Sequence, residues 1–243
     1  MRFTSDTSAD GIRERDFTVG DVPGVLWSPA GADSPTPLIL MGHGGGNHKK
    51  SPAMTGRAEL LIKAGCSVAV LDAPGHGDRP RTAHDDHEIA ALFAARAAGA
   101  PEGPIVVRYN LHLAEQAVPE WQRTLDALDK TIEFTQVGYF GLNMATATGI
   151  PLIARDPRIT AAVLGQFWPA PTLLEAARRI TIPIEFALQW HDEHIPRQDG
   201  LALFDAFASP EKTLHANAGT HKQLPRFESR SAVHFFTRHL KTL

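Results

Sequence analysis

Tyr139-Phe140-Gly141-Leu142-Asn143-Met144-Ala145-Thr146 is the stretch of sequence that decides the fold. Its beginning is an apolar run typical of a strand, and its end starts a run with helical spacing. A sharp turn has to join the two, and small residues are needed where the strand and helix backbones meet. Gly141 and Ala145 are small, and Asn143 is one of the few residues with a side chain that tolerate positive φ. The stretch therefore predicts a strand, a tight turn and a helix in direct succession.

Strands and helices also alternate before this turn. Residues 38–41 and 67–71 are short apolar runs typical of strands that are buried on both faces. Residues 52–64, between them, have helical spacing that ends at Gly65. Strand, helix and strand in this order predict an α/β fold with a parallel sheet covered by helices on both faces.

The remaining elements follow from the same patterns. A hairpin is predicted over residues 13–27 and a loop over residues 30–37. Further strands are predicted at residues 136–140, 161–164, 184–189 and 212–215. Further helices are predicted at residues 106–128, 144–154, 173–179, 201–207 and 229–243. Pro119 is expected to interrupt or restart the first of these helices, because proline has no N–H to donate.

The composition limits which classes of protein and which partners are expected. The 243 residues are 43% hydrophobic and 21% charged, as in a globular protein with a substantial core, and the net charge is −3. Neither nucleic acid nor a membrane surface is an expected partner. Residues 1–15 are polar, no apolar run approaches the length of a membrane span, and Cys66 is the single cysteine, so a cytoplasmic protein is expected.

A glycine-rich loop, His43-Gly44-Gly45-Gly46, directly follows the strand at residues 38–41. Glycines allow backbone N–H groups to approach a ligand with no side chain in the way. His43 is expected to fix this loop through hydrogen bonds. A flexible turn or a phosphate-binding loop is the alternative, but the chain has neither the Walker lysine spacing nor G-x-G-x-x-G.

Three segments resemble the α/β-hydrolases, in particular the small bacterial esterases and the members similar to dienelactone hydrolase. They are Asp72-Ala73-Pro74-Gly75-His76-Gly77, residues 141–146 and residues 192–196. The resemblance covers roughly residues 38–240. It implies one domain over residues 1–243, a mostly parallel central sheet with helices on both faces, and an active site at the carboxyl ends of the strands. It also implies no metal or organic cofactor.

The resemblance further implies a triad in the chain order nucleophile, acid, histidine, which is met by Asn143, Asp192 and His221. Gln189-Trp190-His191-Asp192-Glu193-His194-Ile195-Pro196 is similar to the family's G-x-x-D-x-x-V-P segment and selects Asp192 as the acid. Glu193 is the competing carboxylate, and His215 is the alternative to His221.

A metal site is a second interpretation of this segment. His191, Asp192 and His194 cluster in sequence, and two histidines three residues apart around a carboxylate suit zinc. No third ligand can be predicted from the sequence, so no metal is expected.

Asn143 departs from the family's G-x-S-x-G, as does Ala145 in place of the last glycine. A carboxamide nitrogen is not made nucleophilic by an imidazole, whereas a serine hydroxyl is. An acyl-enzyme at residue 143 is therefore not expected. Asn143 is either an inactivating substitution or natural loss, or part of an altered mechanism in which it donates and accepts hydrogen bonds.

The family's other site features also map onto this chain. The oxyanion donors implied are the N–H of Met144 and that of Gly45, with Gly44 as the alternative. Cap-like insertions are expected around residues 79–103 and 167–179. The expected lining of an apolar substrate pocket is His43, His87, Phe167, Trp168 and Trp190, with core packing as the alternative for each aromatic residue.

The function implied is hydrolysis of a carboxylic ester, lactone or related acyl substrate, in a form altered or inactivated by Asn143. A lyase, isomerase or cyclase that uses the histidine–aspartate base is the first alternative. A non-catalytic ligand-binding protein is the second, because this fold serves many functions. The expected partner is a small molecule, and a homodimer is the default assembly because such dimers are the commonest oligomers.

Overall fold

The computed structural model describes residues 1–31 and 34–240. Within this part of the chain, ten strands form a single mixed sheet. The strands are β1 (Arg2–Phe3), β2 (Thr7–Ala9), β3 (Ile12–Val19), β4 (Val22–Pro29), β5 (Thr36–Met41), β6 (Ser67–Leu71), β7 (Phe134–Phe140), β8 (Ile159–Gly165), β9 (Ile184–Gln189) and β10 (Lys212–Asn217). The helices are α1 (Pro52–Lys63), α2 (Ala83–Ala97), α3 (Gly103–Asp129), α4 (Met144–Ile153), α5 (Pro171–Ala177), α6 (Arg197–Ala206) and α7 (Arg226–Leu240).

The strand order is β1-β3-β4-β6-β5-β7-β8-β9-β10, and β2 pairs with β3. The six strands from β6 to β10 in this order are mutually parallel. β3 and β4 are antiparallel, with Val19 opposite Val22, and form the predicted hairpin. The predicted α/β fold with a mostly parallel central sheet is confirmed.

Side chains of the central strands alternate between two buried layers, because successive residues of a strand point to opposite faces. Leu38 and Leu40 belong to a core that includes residues of α3, α4, α5 and α6. Ile39 and Met41 belong to a second core that includes residues of α1 and α7. Helices therefore cover both faces of the sheet, as predicted.

Helix α1 ends as its sequence predicts. Gly65 has φ +84°, and its N–H donates to the carbonyl of Ile62. The next N–H, from Cys66, donates to the carbonyl of Leu61. This is the Schellman arrangement, in which a left-handed glycine lets the last carbonyls of a helix be satisfied.

The prediction that Pro119 interrupts its helix is wrong. α3 runs unbroken for 27 residues, with Pro119 inside it. A proline within a helix costs about 3 kcal/mol. The neighbouring Val118, Trp121 and Leu125 are all buried in the core. Burial of these side chains outweighs the missing hydrogen bond.

Other differences concern element ends. β5 begins at Thr36, inside the predicted loop, and α6 begins four residues before its predicted start. The short strands β1 and β2 were not predicted, since two or three residues carry no periodicity. Residues 32 and 33 of the predicted loop and residues 241–243 of the predicted last helix lie outside the described residues.

None of the helices in residues 1–31 and 34–240 combines the length with the apolar composition that crossing a bilayer requires.

Replacement of Phe236 by alanine tests how α7 is held on the sheet. Phe236 is fully buried, and a methyl group added at Gly138 of β7 would lie 2.7 Å from its ring. Phe236→Ala is expected to lower the free energy of unfolding by about 3–5 kcal/mol. Phe227→Ala on the same helix is the matched control, because Phe227 is 61% exposed and its loss should change little. Equal effects in urea denaturation would contradict the packing described.

Candidate active site

The loops that carry the predicted site residues all leave the same edge of the sheet. Parallel strands place their carboxyl ends together. The glycine-rich loop follows β5, the turn at Asn143 follows β7, and Asp192 and His221 follow β9 and β10. Sequence segments far apart in the chain therefore meet at this edge.

The turn after β7 has the predicted strained geometry. Asn143 has φ +57° and ψ −124°, and its N–H donates to the carbonyl of Gly165 over 3.1 Å. A methyl group added at Gly141 would lie 2.8 Å from the carbonyl oxygen of Ala145, and one added at Gly42 would lie 2.6 Å from the Ala145 Cβ. Three backbone segments thus touch at this turn, which explains the small residues there.

The side chain of Asn143 contacts a residue that the sequence analysis missed. Asn143 Nδ2 donates to Gln166 Oε1 over 3.4 Å, and Gln166 Nε2 donates to the backbone carbonyl of His221 over 3.0 Å. Gln166 is 5% exposed and has φ +55°. Its amide therefore bridges the turn and the histidine loop. The available signal was a polar residue directly after the apolar strand β8.

Asp192 and His221 are hydrogen-bonded to each other. His221 Nδ1 lies 2.7 Å from Asp192 Oδ2, and Asp192 Oδ1 accepts the N–H groups of His194 and Ile195 over 2.9 Å each. Burial acts to raise the pKa of Asp192, but the hydrogen bonds from His221 and these two N–H groups hold that pKa below its ordinary value. The charged carboxylate fixes the proton on Nδ1 and leaves Nε2 of His221 as a proton acceptor.

The competing candidates make other contacts. Glu193 Oε2 accepts the backbone N–H of His221 over 2.8 Å, so Glu193 anchors the loop from its main chain. His215 is hydrogen-bonded to Glu228 between β10 and α7. Among the described residues, His191, Asp192 and His194 do not form a group of converging metal ligands. The carboxylate of Asp192 is already occupied by His221 and two N–H groups.

A second unpredicted contact links the junction of α2 and α3 to His221. Glu102, at the start of α3, forms an ion pair with Arg96 of α2 and contacts Nδ1 of His194. The ring of His194 lies edge-on to that of His221, with 5.1 Å between their centroids. The α2–α3 junction is thereby connected to the Asp192–His221 pair. No sequence pattern indicates this contact, since it joins residues about 90 positions apart.

His43 fixes the glycine-rich loop, as expected. It is 2% exposed, its Nε2 accepts the N–H of Ala73, and its Nδ1 bonds the carbonyl of Gly44, each over 3.0 Å. Burial lowers the pKa of His43 to about 4. His43 is therefore neutral, with its proton on Nδ1.

A buried ion pair ties the same loop to the loop after β6. Asp72 is fully buried and accepts hydrogen bonds from the backbone N–H of Lys49 over 2.7 Å, from Lys49 Nζ over 2.6 Å and from the N–H of Asp78 over 3.0 Å. Burial acts to raise the pKa of Asp72, but Lys49 and the two N–H groups hold it below its ordinary value. A methyl group added at Gly77, where φ is +58°, would lie 2.3 Å from this carboxylate.

The backbone groups predicted as oxyanion donors lie beside the turn. Met144 is the first residue of α4, so its N–H has no acceptor within that helix. A methyl group added at Gly44 would lie 3.8 Å from the Cβ of Asn143, which places the glycine-rich loop next to the turn. Nothing lies within 4 Å of a methyl group added at Gly45, so the backbone there is open to a ligand.

The aromatic residues predicted to line a pocket do not all lie together. Phe167 and Trp168 are 1% and 9% exposed and pack edge to face within the core, with 5.7 Å between their centroids. Trp190 is 39% exposed beneath the guanidinium of Arg197, and His87 is exposed on α2. A cavity beside the turn is lined by residues that include His43, Leu71, Trp121, Tyr139, Met144 and Thr148. Of the predicted lining residues, His43 lines this cavity. A role for His87, Phe167, Trp168 and Trp190 in a substrate pocket stays a prediction.

Comparison with solved structures decides the family. A PEG-bound complex of a cold-adapted esterase from an Arctic intertidal metagenomic library is 32% identical to the chain, with a TM-score of 0.80, and the match covers 99% of this chain and 100% of the esterase. The chain belongs to the α/β-hydrolases. A zinc-bound structure of a cold-adapted esterase from an Arctic intertidal metagenomic library is 29% identical, with a TM-score of 0.75 and coverage of 99% and 100%.

A more distant α/β-hydrolase shares the fold. Dienelactone hydrolase from Anabaena variabilis is 18% identical, with a TM-score of 0.67 over 98% of this chain and 99% of that one. Neither the protein-family models nor the curated proteins compared with the chain give a match.

The buried histidine of this α/β-hydrolase makes its stability depend on pH. The pKa of His43 is about 4 in the folded chain and has an ordinary value of 6.5. The unfolded chain therefore takes up this proton first as the pH falls. The contribution of His43 is complete above pH 6.5 and is lost between about pH 6.5 and pH 4, by about 3 kcal/mol in all.

His43→Gln has no titrating group at this position and is the matched variant for this effect. Its free energy of unfolding, measured by urea denaturation, is expected to fall less steeply over the same range. The carboxyl groups are present in both proteins, so the difference between the two profiles reports on the residue at position 43. Parallel pH profiles would contradict the burial of a neutral His43.

Proposed function

We propose that the chain is an esterase-like hydrolase for a carboxylic ester, lactone or related acyl substrate, in which Asn143 occupies the nucleophile position and blocks acyl-enzyme formation. The observation that carries the proposal is the Asp192–His221 hydrogen bond of 2.7 Å at the sheet edge where Asn143 sits in its strained turn. The esterase that is 32% identical supports the class of reaction.

His221 is the proposed general base. Asp192 holds the imidazole in one tautomer and stabilises the cation that forms when Nε2 takes a proton. A hydroxyl at position 143 would become a nucleophile by giving up its proton to this nitrogen. The carboxamide of Asn143 has its nitrogen lone pair delocalised, so it cannot attack in the same way.

The backbone N–H groups of Met144 and Gly45, or alternatively Gly44, are the proposed oxyanion donors. The open approach to Gly45 and the position of Met144 at the start of α4 support this role. Each such donor is worth about 3 kcal/mol to a developing oxyanion in other enzymes. These donors do not depend on the side chain at position 143.

The insertions at residues 79–103 and 167–179 are proposed to cover the substrate. The first contains α2 and the second contains α5. The contact of Glu102 with His194 supports a role for the α2–α3 junction, because it lies next to the base.

A lyase, isomerase or cyclase is the second candidate function. It is favoured by the retention of the Asp192–His221 pair beside an Asn143 side chain that is itself hydrogen-bonded to Gln166. In such an enzyme His221 would move a proton of the substrate, and Asn143 would orient the substrate.

The Asn143→Ser variant tests the proposal. With p-nitrophenyl acetate and butyrate, the parent is expected to show only background hydrolysis. Asn143→Ser should raise kcat/KM by about 10³-fold or more, because a complete triad acts as a unit. Asn143→Ala is the matched control, since it removes the carboxamide without supplying a hydroxyl, and it should stay at background.

The double variant Asn143→Ser, His221→Ala separates the interpretations. It should lose the activity gained by Asn143→Ser. A folded Asn143→Ser protein with no turnover would contradict the hydrolase proposal. Turnover of another substrate by the parent that requires His221 and does not improve with Asn143→Ser would favour the lyase, isomerase or cyclase. Tight ligand binding that is insensitive to His221→Ala would favour a binding protein.

A further inference from the structure

A second cluster of titratable side chains lies outside the proposed active site. Glu185 of β9, His215 of β10 and Glu228 of α7 each offer one ligand atom, and these atoms lie within 4.8 Å of one another. Among residues 1–31 and 34–240, this is the one group of three or more His, Cys, Asp and Glu side chains that converges in this way.

The sheet register explains why the cluster forms. Thr213 of β10 lies opposite Glu185 of β9, so His215, two residues further on, points to the same face of the sheet as Glu185. That face is covered by α7, whose first turn carries Glu228. The cluster therefore joins the last two strands of the sheet to the last helix.

The cluster carries more negative than positive charge. Glu185 and Glu228 are 5% and 7% exposed, and within the described chain their only ion-pair partner is His215. Ser231 Oγ donates to Glu185 Oε2 over 3.0 Å, but a hydroxyl group carries no charge. Two buried carboxylates beside a single imidazole are costly unless a further cation joins them.

The distances suit a metal ion. His215 Nδ1 is hydrogen-bonded to Glu228 Oε2 over 2.8 Å, whereas His215 Nε2 lies 3.7 Å from Glu185 Oε2. The second separation is too long for a hydrogen bond. Two ligand atoms that each lie about 2.1 Å from one tetrahedral ion are themselves about 3.5 Å apart. A carboxylate on Nδ1 is also the usual device that orients a metal-binding histidine.

We propose that Glu185 and His215 Nε2 bind a divalent transition-metal ion of the zinc type, with Glu228 holding the imidazole ring and water completing the coordination. Mixed nitrogen and oxygen ligands favour such an ion over magnesium or calcium, which prefer oxygen alone. The side chain of His215 is 27% exposed, which gives the ion a route from solvent.

The proposed role of the ion is to clamp the strands that lead to the acid–base pair. Asp192 follows the end of β9 by three residues, and His221 follows the end of β10 by four. The ion would bind one residue of each strand, and Glu228 of α7 would hold the His215 ring in place. It would therefore restrict the relative movement of the loops that carry Asp192 and His221. The site does not depend on the reaction proposed above.

Zinc binding to the full chain, after removal of metals with EDTA, tests the proposal. Calorimetry with zinc chloride is expected to show one strong site per chain. The Tm should rise by about 5–10 °C at a hundredfold excess over Kd. Magnesium chloride should give neither effect. His215→Ala should abolish both effects, and Glu228→Gln should weaken Kd by about 10–100-fold.

Two variants control for other histidines. His112→Ala disrupts the surface pair His84–His112, whose ring centroids are 4.4 Å apart, and His221→Ala removes the imidazole of the proposed active site. Both should keep the zinc site. If His215→Ala does not fold, the zinc affinity of the nearly isosteric Glu228→Gln variant tests the proposal. The proposal is wrong if no site of this stoichiometry is found, if Glu228→Gln binds zinc as the parent does, or if His112→Ala or His221→Ala abolishes binding. None of these outcomes depends on catalysis.

Discussion

The close approach of three backbone segments at the turn after β7 is the constraint on which the site depends. Gly42, Gly141 and Ala145 leave no room for larger side chains, and the turn holds Asn143 at φ +57°. This packing places the glycine-rich loop against the turn and starts α4 directly behind it. A residue at position 143 is thereby presented at the edge of the sheet whatever its side chain.

Patterns that are local in the sequence predicted the local structure well. Small residues around Asn143 indicated the turn, and Gly65 indicated the end of α1, because each position has a steric requirement that few residues meet. The prediction from Pro119 was wrong because the burial of Trp121 and its neighbours outweighs the unfavourable effect of proline inside a helix. The sequence left open whether Phe167 and Trp168 line a pocket or pack in the core, since aromatic composition alone does not distinguish the two.

Contacts between distant segments were beyond the reach of the sequence unless a family resemblance supplied them. The resemblance selected Asp192 and His221, and the structure brings the two within hydrogen-bond distance. No resemblance pointed to Gln166, which bridges Asn143 and the His221 carbonyl, or to Lys49, which neutralises the buried Asp72. Such residues are ordinary polar residues in the sequence, and only the fold gives them their partners.

The proposed function rests on the hydrogen-bonded Asp192 and His221 at a site whose nucleophile position is occupied by Asn143. Its central claim is tested most directly by intact-protein mass spectrometry after reaction with a fluorophosphonate, which phosphonylates an activated serine. Asn143→Ser should gain the mass of one phosphonyl group, on Ser at position 143, and should fail to do so when His221→Ala is added. The parent should remain unmodified. An unlabelled but folded Asn143→Ser protein, or a parent labelled at another residue, would contradict the claim that this site is a hydrolase site lacking only its nucleophile.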